Sequence, residues 1–532
     1  MSAVRTNAEP KKTPAEKAEE FLKEAAKFKL GHLPTEMRHP LTTRLSQLAN
    51  DHLEEAITLL QKVEFEALGS LITQIRKIED MADDIRATIS NGGRVFFCGC
   101  GATGRLSLSL ETLWREDVIN RSKPEWVNQV VSFIAGADYA LVRSIENFED
   151  HPEYGARQLK NLGFTENDLL IGTSEGGETP FVIGAVQEAA LTAKRKPYFV
   201  FCNPPELLAA TVERSRQVIQ NPRVISFALE TGPMAVSGST RLQATTALML
   251  GVGSALFSSL ERPARPRTYI DEFLTSLRAT DFKVLAPLIQ RESEIYKTGG
   301  YCVHRTSRYA MTVVTDTTER SPTFSLLPFE NVNESTAPRA WTYLIHAQAS
   351  CAEDAWVKLL GRTPRALDWP GFKERFGQEN LKGFDFSPVS LKRRESTVGS
   401  ASVHIYDIDS NARELILRLD GLDARILRPA SLLCEHLLLK CALNISSTLT
   451  MGRLGRFSGN LMLYVRAANN KLVDRAIRYI EILLSDAGIT GYSYADVCHA
   501  LFEIVETLPG NEPAVWHTFE ALSKGIKASS DH

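Results

Sequence analysis

Apolar residues between Leu48 and Ser90 recur at intervals of three and four, which is the spacing of amphipathic helices. The recurring positions are Ile57, Leu60, Val63, Leu68, Leu71, Ile75, Ile78, Met81 and Ile85. The pattern is interrupted near Ala67-Leu68-Gly69, and Asn91-Gly92-Gly93 follows it as a glycine-rich helix end. We therefore predict a helical segment, broken once, that leads into the rest of the chain.

Beyond this segment, short apolar runs alternate with helical patterns. Strands are predicted at 94–98, 129–134, 168–172, 197–202 and 223–227, with helices at 179–194 and from Thr240 to about Leu260. The alternation predicts an α/β fold, in which helices cover both faces of a parallel sheet. Ligands of such sheets bind at the carboxyl ends of the strands, so the turns after the strands are where we expect a site.

Three turns rich in glycine and hydroxyl groups lie at those places: Gly99–Arg105, Thr173–Pro180 and Ser237–Arg241. Backbone N–H groups at a helix start bind anions, and glycine allows positive φ and a close approach of the ligand. The first turn matches neither the dinucleotide fingerprint nor the Gly-Lys-Ser/Thr ending of a P-loop. We predict that the turns converge on one anion through Gly101, Ala102, Thr103, Ser174, Glu175, Gly176, Thr179, Ser237, Ser239 and Thr240.

Length and charge restrict the class of protein. A chain of 532 residues predicts two to four domains, and 43% hydrophobic residues suffice for large cores. A net charge of -3 argues against a nucleic-acid partner and against binding to an anionic membrane surface. No apolar run reaches the ~18–20 residues of a membrane span, and Met1–Glu20 lacks the apolar core of a secretory signal.

The cysteines and histidines predict no metal centre and no other cofactor. The eight cysteines are scattered without a Cys-x-x-Cys pair, which is typical of free thiols in a reducing cytoplasm. His304, His346, His404 and His436 show no metal-ligand spacing, so we expect structural positions for them. We therefore predict a cytoplasmic protein.

The turns carry a specific resemblance. Gly99–Arg105 resembles the glycine loop of sugar isomerase (SIS) domains. Gly232–Gln243 resembles a signature shared by N-acetylmuramic acid 6-phosphate etherases and the glucokinase regulatory protein. The stretch from Ile134-Ala135-Gly136 to Glu146–Asp150 resembles the next segment of the same families. The resemblance covers residues about 50–265 and implies a phosphosugar site gripped by the three turns.

The pattern of the second half repeats that of the first, with a strand predicted at Tyr301–Val303 and a helix from Leu432 to Met451. Asp316–Phe324 resembles the etherase segment that carries an acidic catalytic residue, here Glu319, whereas Leu113 stands at the matching place in the first half. Arg305–Arg308 replaces the glycine loop. Each half thus keeps what the other has lost, which implies one site shared across a pseudo-twofold interface.

The resemblance also implies the roles of single residues and the domain layout. Glu319 and Glu149 are expected as the catalytic acids, and Lys471, in a family-like Asn469–Leu472 stretch, as a ligand donor from the second half. We predict a tail at 1–47, largely disordered and then helical, followed by SIS domains at 48–265 and 266–472 and a helical segment at 473–532. The two SIS domains would each hold a doubly wound parallel sheet.

Three functions remain open. A lyase would remove a lactyl ether from C3 of an amino-sugar phosphate, with two carboxylates as base and acid and no metal. A sensor resembling the glucokinase regulatory protein would bind a sugar phosphate without turnover and act on a sugar kinase as partner. A third reading is an aldose–ketose phosphosugar isomerase. Only 61 residues follow Lys471 (532 − 471), which resembles the short helical tail of the etherases and argues against the kinase partner.

Several positions depart from the family pattern and leave the particular sugar open. Met234 and Gln243 stand where the families usually have Glu and Lys. Glu175 and Glu178 place two carboxylates in a turn expected to bind an anion. Arg241 could stabilise the start of the long helix or a contact between domains instead of binding ligand.

Overall fold

The computed structural model describes residues 12–145, 147–334, 336–465, 467, 469–509 and 512–529. The chain divides into two compact units. The helical unit comprises Met1–His32 and Met462–His532, and begins with helix α1 (Pro14–Glu24). The α/β unit comprises Leu33–Leu461 and contains both large sheets. Residues 1–11 of the predicted tail lie outside the described residues.

The first sheet of the α/β unit is entirely parallel, with strand order β2-β1-β3-β4-β5. Its strands are β1 (Val95–Gly99), β2 (Val130–Ile134), β3 (Leu169–Thr173), β4 (Tyr198–Phe201) and β5 (Ile225–Ala228). The helices of this half are α2 (Leu45–Asp51), α3 (Leu53–Glu66), α4 (Gly69–Thr73), α5 (Ile75–Ser90), α6 (Gly101–Asn120), α7 (Tyr139–Val142), α8 (Pro152–Asn161), α9 (Pro180–Thr192), α10 (Pro205–Thr211), α11 (Glu213–Ile219) and α12 (Gln243–Ser258). The predicted strands and the interrupted helix before them are confirmed.

The second sheet is mixed, with strand order β10-β9-β8-β6-β7. Its strands are β6 (Tyr301–Thr306), β7 (Thr342–His346), β8 (Val403–Ser410), β9 (Glu414–Leu419) and β10 (Leu422–Leu427). The helices of this half are α13 (Pro266–Ala279), α14 (Ala286–Lys297), α15 (Ala310–Phe324), α16 (Ala352–Leu360), α17 (Lys373–Phe376), α18 (Gln378–Lys382), α19 (Pro388–Val398) and α20 (Leu432–Arg453).

The sequence predicts a parallel sheet in the second half. This is confirmed for β7, β6 and β8 and is wrong for β9 and β10. β8, β9 and β10 run antiparallel, because short turns join them and a parallel connection needs a crossover. The turn between β9 and β10 is Asp420-Gly421, and both residues have positive φ, as a tight hairpin requires.

The remaining elements follow α20. Two short strands come first, β11 (Phe457–Ser458) and β12 (Leu461–Met462). The helical unit then contains α21 (Asn470–Asp486), α22 (Tyr494–Thr507) and α23 (Ala514–Ser529), so the predicted C-terminal segment is helical. No helix within the described ranges is long and apolar enough to cross a membrane.

Helices α12 and α20 pack together in the middle of the α/β unit and join its two halves. Every residue of α12 is buried, as is nearly every residue of α20, so both helices are enclosed on all sides. The Leu433 side chain packs directly on the backbone of Gly253, where a Cβ atom would lie 2.8 Å from a methyl group of Leu433. The two halves therefore share one continuous core.

A buried ionic cluster also links the halves. Glu111 on α6 forms salt bridges with Arg115 of its own helix (3.2 Å) and with Arg362 (3.1 Å) and Arg365 (3.0 Å), which follow α16. Arg362 also pairs with Asp138 at 2.6 Å. Burial alone would raise the pKa of Glu111, but the arginines outweigh it and lower the pKa to about 2.

This cluster makes stability depend on pH in a defined direction. Because the pKa of Glu111 is lowered on folding from 4.5 to about 2, its contribution is complete above pH 5 and is lost as the pH falls towards 2. We expect Glu111→Gln to lower the free energy of unfolding at pH 7 by about 3 kcal/mol or more, since it leaves buried arginines unpaired. Urea denaturation should show this deficit shrinking between pH 5 and pH 3. An equal deficit at both pH values would contradict the assignment.

Candidate functional site

The first predicted turn joins β1 to α6. A Cβ atom at Gly99 would lie 2.3 Å from the carbonyl of Thr103, so only glycine fits there. Gly101 has φ +53°, in the left-handed region that favours glycine. The Thr103 hydroxyl donates to the Cys100 carbonyl (2.9 Å) and accepts from the Cys100 N–H (3.1 Å). In this structure Thr103 therefore closes the turn, and Ala102 faces the cavity described below.

The second turn follows β3, the strand beside β1, so the two turns emerge at one edge of the sheet. The hydroxyls of Ser174 and Thr179 are hydrogen-bonded at 2.9 Å, and the Gly176 carbonyl accepts from Asn203 at 2.9 Å. Glu175 accepts a hydrogen bond from the Thr245 hydroxyl on α12 at 3.4 Å.

The second carboxylate of this turn, Glu178, has a cation of its own. Arg214 donates to both its side chain and its backbone carbonyl. The two carboxylates that the sequence places in the turn therefore differ, since Glu178 is neutralised by Arg214 and Glu175 points to the start of α12.

The third turn is held by its own backbone and by the segment before α2. The Ser237 hydroxyl donates to the Glu36 carbonyl at 3.0 Å, the Ser239 N–H donates to the Val236 carbonyl at 2.9 Å, and the Thr240 carbonyl accepts from the Thr245 N–H at 3.0 Å. Ser237 and Ser239 are buried and Thr240 is half-buried.

The two departures from the family pattern are accommodated in this third turn. Gln243 accepts from the Ala235 N–H (2.7 Å) and donates to the Pro233 carbonyl (2.9 Å). Met234 is buried and its carbonyl accepts from the His39 N–H at 3.1 Å. Gln243 therefore stabilises the turn through its side chain, whereas Met234 contributes a backbone hydrogen bond and a buried side chain.

Glu319 lies on α15 and faces a cavity lined by both halves of the α/β unit. Ala102, Arg105 and Thr245 line it from the first half, and Glu319, His436, Lys440 and Asn444 from the second. The Glu319 side chain is 7% exposed and makes no hydrogen bond to any residue that the structure describes. Burial raises its pKa, and the nearby Arg105, Arg241 and Lys440 offset this only in part. The site therefore favours the protonated form of this carboxyl more than water does.

Arg105, the last residue of the first turn, was not singled out in the sequence analysis. It is 3% exposed, and its Nε donates to the Thr318 hydroxyl at 3.1 Å. Its two Nη atoms form no hydrogen bond within the described part of the chain. Burial lowers its pKa, whereas Glu319, Cys100 and Glu175 raise it. A largely unpaired guanidinium group thus lies near both the first turn and Glu319. The sequence offers one indication of this role, since Arg105 is the only charged residue of the first turn.

Two other buried cations fix the interface between the halves. Lys440 on α20 donates to the Arg241 carbonyl (3.0 Å), the Leu242 carbonyl (3.3 Å) and the Thr246 hydroxyl (2.7 Å). Arg241 pairs with Asp316 on α15 at 3.3 Å. The sequence leaves two roles open for Arg241, stabilising the start of the long helix or forming a contact between domains. The structure shows a contact between the two halves.

Asp316 is the acceptor at the centre of that interface. It accepts from Ser447 at 2.7 Å and from Asn444 at 2.9 Å, both on α20. Burial opposes its ionisation, but Arg320 and Arg241 lower its pKa to about 2. Glu319 lies three residues further along the same helix, so the interface determines where Glu319 points.

The second predicted carboxylate, Glu149, lies beside the first turn. The Cys100 thiol donates a hydrogen bond to Glu149 at 3.0 Å. Burial, together with Glu149, raises the pKa of Cys100 well above its usual value, so the thiol stays protonated and can donate. Glu319 and Cys100 both raise the pKa of Arg105. That Glu149 and Glu319 act on one ligand stays a prediction. Glu146, of the same acidic stretch, lies outside the described residues.

Lys471 lies on α21 of the helical unit. Asn469 caps this helix by accepting from the Leu472 N–H at 2.9 Å. Its contact with ligand stays a prediction.

The degenerate turn of the second half contains arginines that are already paired. Arg305 pairs with Asp407 at 2.6 Å, and Arg308 pairs with Glu435 (3.2 Å) and Glu116 (3.4 Å). Among the residues that are described, no group of three or more His, Cys, Asp or Glu is arranged to hold a metal ion.

Comparisons with known proteins agree on one family. A family model described as the glucokinase regulatory protein N-terminal SIS domain matches residues 75–190. The N-acetylmuramic acid 6-phosphate etherase of Aeromonas hydrophila is 29% identical over 284 residues, which cover 53% of this chain and 86% of that protein. The protein of the same name from Rhodopirellula baltica is 30% identical over 271 residues, covering 51% of this chain and 82% of that protein.

A solved structure, the C-terminal domain of glucosamine-fructose-6-phosphate aminotransferase from Francisella tularensis, aligns with a TM-score of 0.37 and 9% identity. The alignment covers 74% of this chain and 95% of that one. From the sequence relatives and the SIS domain match, the chain belongs to the SIS-domain family of phosphosugar-binding proteins that includes the N-acetylmuramic acid 6-phosphate etherases.

Proposed function

We propose that this protein is an etherase-type carbon–oxygen lyase that acts on N-acetylmuramic acid 6-phosphate or a closely similar amino-sugar phosphate. One observation carries the proposal. Glu319 of the second half is buried, makes no hydrogen bond within the described chain and lines the same cavity as Ala102 and Arg105 of the first half. An acid in this position could reach a sugar whose phosphate is bound by the turns. The named etherase relatives support the same reaction class.

The two carboxylates suit the two proton transfers of an elimination, one as base and the other as acid. In the open-chain sugar the C1 carbonyl acidifies the proton at C2, which Glu149 would accept as general base. The bond between C3 and the ether oxygen would break as Glu319 gives its proton to the departing oxygen. We assign the acid to Glu319 because burial raises its pKa and so favours its protonated form.

Addition of water would complete the reaction. Glu149 returns its proton to C2, the water oxygen bonds to C3, and the remaining water proton restores the Glu319 carboxyl. The sum is a sugar phosphate and a free hydroxy acid from one ether and one water, without any metal. Both carboxyls end in their starting protonation state.

The phosphate would bind at the strand ends of the first half. The turns after β1 and β3 open one edge of the sheet, and the helices α6 and α9 begin there. The backbone N–H groups at these helix starts and the helix dipoles favour an anion.

The alternative is a non-catalytic sensor of sugar phosphates. The match of residues 75–190 to the glucokinase regulatory protein domain favours it, and the same carboxylates could hold a ligand without reacting. A sugar kinase as partner would belong to this alternative alone. Turnover separates the two functions.

We expect Glu319→Gln to lower the rate of lactate release from N-acetylmuramic acid 6-phosphate by ~10²-fold or more, because the amide cannot donate the proton. Affinity for N-acetylglucosamine 6-phosphate, measured by calorimetry, should change little. Glu116→Gln is the control, since Glu116 pairs with Arg308 away from this cavity. A wild-type protein that binds the substrate but releases no lactate would support the sensor instead.

The phosphate position is tested at Ala102, which faces the cavity from the first turn. We expect Ala102→Glu to weaken the binding of N-acetylglucosamine 6-phosphate at least tenfold more than Ala102→Gln does. The two side chains have nearly the same size, so the difference reports repulsion between the new carboxylate and the phosphate. Equal affinities of the two variants would place the phosphate elsewhere.

A further inference from the structure

His436 stands on α20, and its ring lines the cavity that contains Glu319. The side chain is 2% exposed. Its Nδ1 is hydrogen-bonded to the Thr312 hydroxyl on α15 at 2.7 Å, which fixes the ring orientation. Its Nε2 is buried and has no hydrogen-bond partner within the described chain. A buried polar atom without a partner is energetically unfavourable, so such an atom beside a site calls for a ligand.

The ring is neutral and its free nitrogen can donate. Burial lowers the pKa of His436 to about 3, and Arg308 adds to this effect. If Thr312 donates to Nδ1, the proton of the neutral ring lies on Nε2. Nε2–H would then be a donor directed at an acceptor on the ligand, without a positive charge of its own.

The cavity is polar on several sides. Asn444 donates through Nδ2 to Asp316 at 2.9 Å, while its buried Oδ1 has no partner within the described chain. Arg105 and Glu319 line the same space. With Glu319 protonated, three donors meet here: Glu319, Arg105 and His436. An acceptor-rich group of the ligand fits this set best.

We propose that His436 is a specificity-determining residue, whose Nε2–H, together with Arg105, binds the carboxylate carried by the departing ether substituent. The identity of that substituent rests on the proposed function. If Glu319 protonates the ether oxygen, the atoms attached to this oxygen must lie in the cavity that Glu319 faces. A carboxylate there needs donors. His436 and Arg105 have donors that no described residue accepts, whereas all three Lys440 donors are bonded.

The chain offers a matched control in His304. This histidine is also buried, with Nδ1 bonded to the Thr342 hydroxyl at 3.1 Å and Nε2 without a partner within the described chain. Its ring stacks on Tyr406 in the second sheet, and it does not line the cavity. A substitution at His304 therefore reports the cost of losing a buried histidine in general.

The test compares two ligands in a Glu149→Gln background, where turnover is stopped. N-acetylmuramic acid 6-phosphate carries the carboxylate-bearing ether, and N-acetylglucosamine 6-phosphate lacks it. His436→Asn can keep the bond to Thr312 but has no atom at the position of Nε2, whereas His436→Gln places an amide N–H there. We expect His436→Asn to weaken binding of the first ligand about 10- to 100-fold and of the second less than threefold. His436→Gln should recover most of the loss, and His304→Asn should leave the ratio of the two affinities unchanged.

Several outcomes would overturn the inference. Equal loss for both ligands would make His436 a structural residue, and no loss for either would remove it from the site. Equal affinities of the Glu149→Gln protein for the two ligands would contradict a carboxylate subsite even if the His436 variants fail to fold. The proposed function fails separately: if the protein with native Glu149 releases no lactate while the binding pattern holds, the subsite stands and the lyase does not.

Discussion

The buried ion pair between Arg241 and Asp316 is the interaction on which the site depends. It joins the start of α12 in the first half to α15 in the second, and Arg320 and Ser447 complete the shell around the carboxylate. Removing one partner of such a pair leaves an uncompensated buried charge, at a cost of about 3–5 kcal/mol. Glu319 lies one helical turn beyond Asp316, so the pairing that joins the halves also directs an acid towards the glycine turn.

The two halves have diverged around this shared interface. In the first half, glycine at the turn after β1 leaves backbone groups and Arg105 open to a ligand. In the second half, arginines occupy the corresponding turn, and Asp407, Glu435 and Glu116 neutralise them. The arginines of the second turn are thus already bound by carboxylates of the chain, which agrees with the proposal of a single composite site per chain.

Much of this arrangement could be predicted from the sequence, because the signals are local. Apolar runs fix the parallel strands, and glycine fixes the turn at Gly99–Gly101 through positive φ and close backbone approach. The hairpin between β9 and β10 also has a local signal, because Asp-Gly, here Asp420-Gly421, is a strong indicator of a tight turn.

The remaining parts depend on contacts between distant residues. The sequence predicts a structural position for His436. In the structure His436 is hydrogen-bonded to Thr312 and lines the same cavity as Glu319, although both residues are more than 100 positions away in the chain. From the sequence the Thr103 hydroxyl is a candidate ligand donor, but in the structure it is hydrogen-bonded to the backbone of Cys100 within the turn. Sequence shows which groups are present, but whether a polar group is free or already bonded is decided by tertiary packing.

The central claim is that both halves of the α/β unit build one site. A crystal structure of the protein with N-acetylglucosamine 6-phosphate tests it most directly. We expect one sugar per chain, with the phosphate at the turns after β1 and β3 and C3 of the sugar facing Glu319. A sugar bound at Arg305–Arg308, or one held by the first half with Glu319 out of reach, would contradict the account.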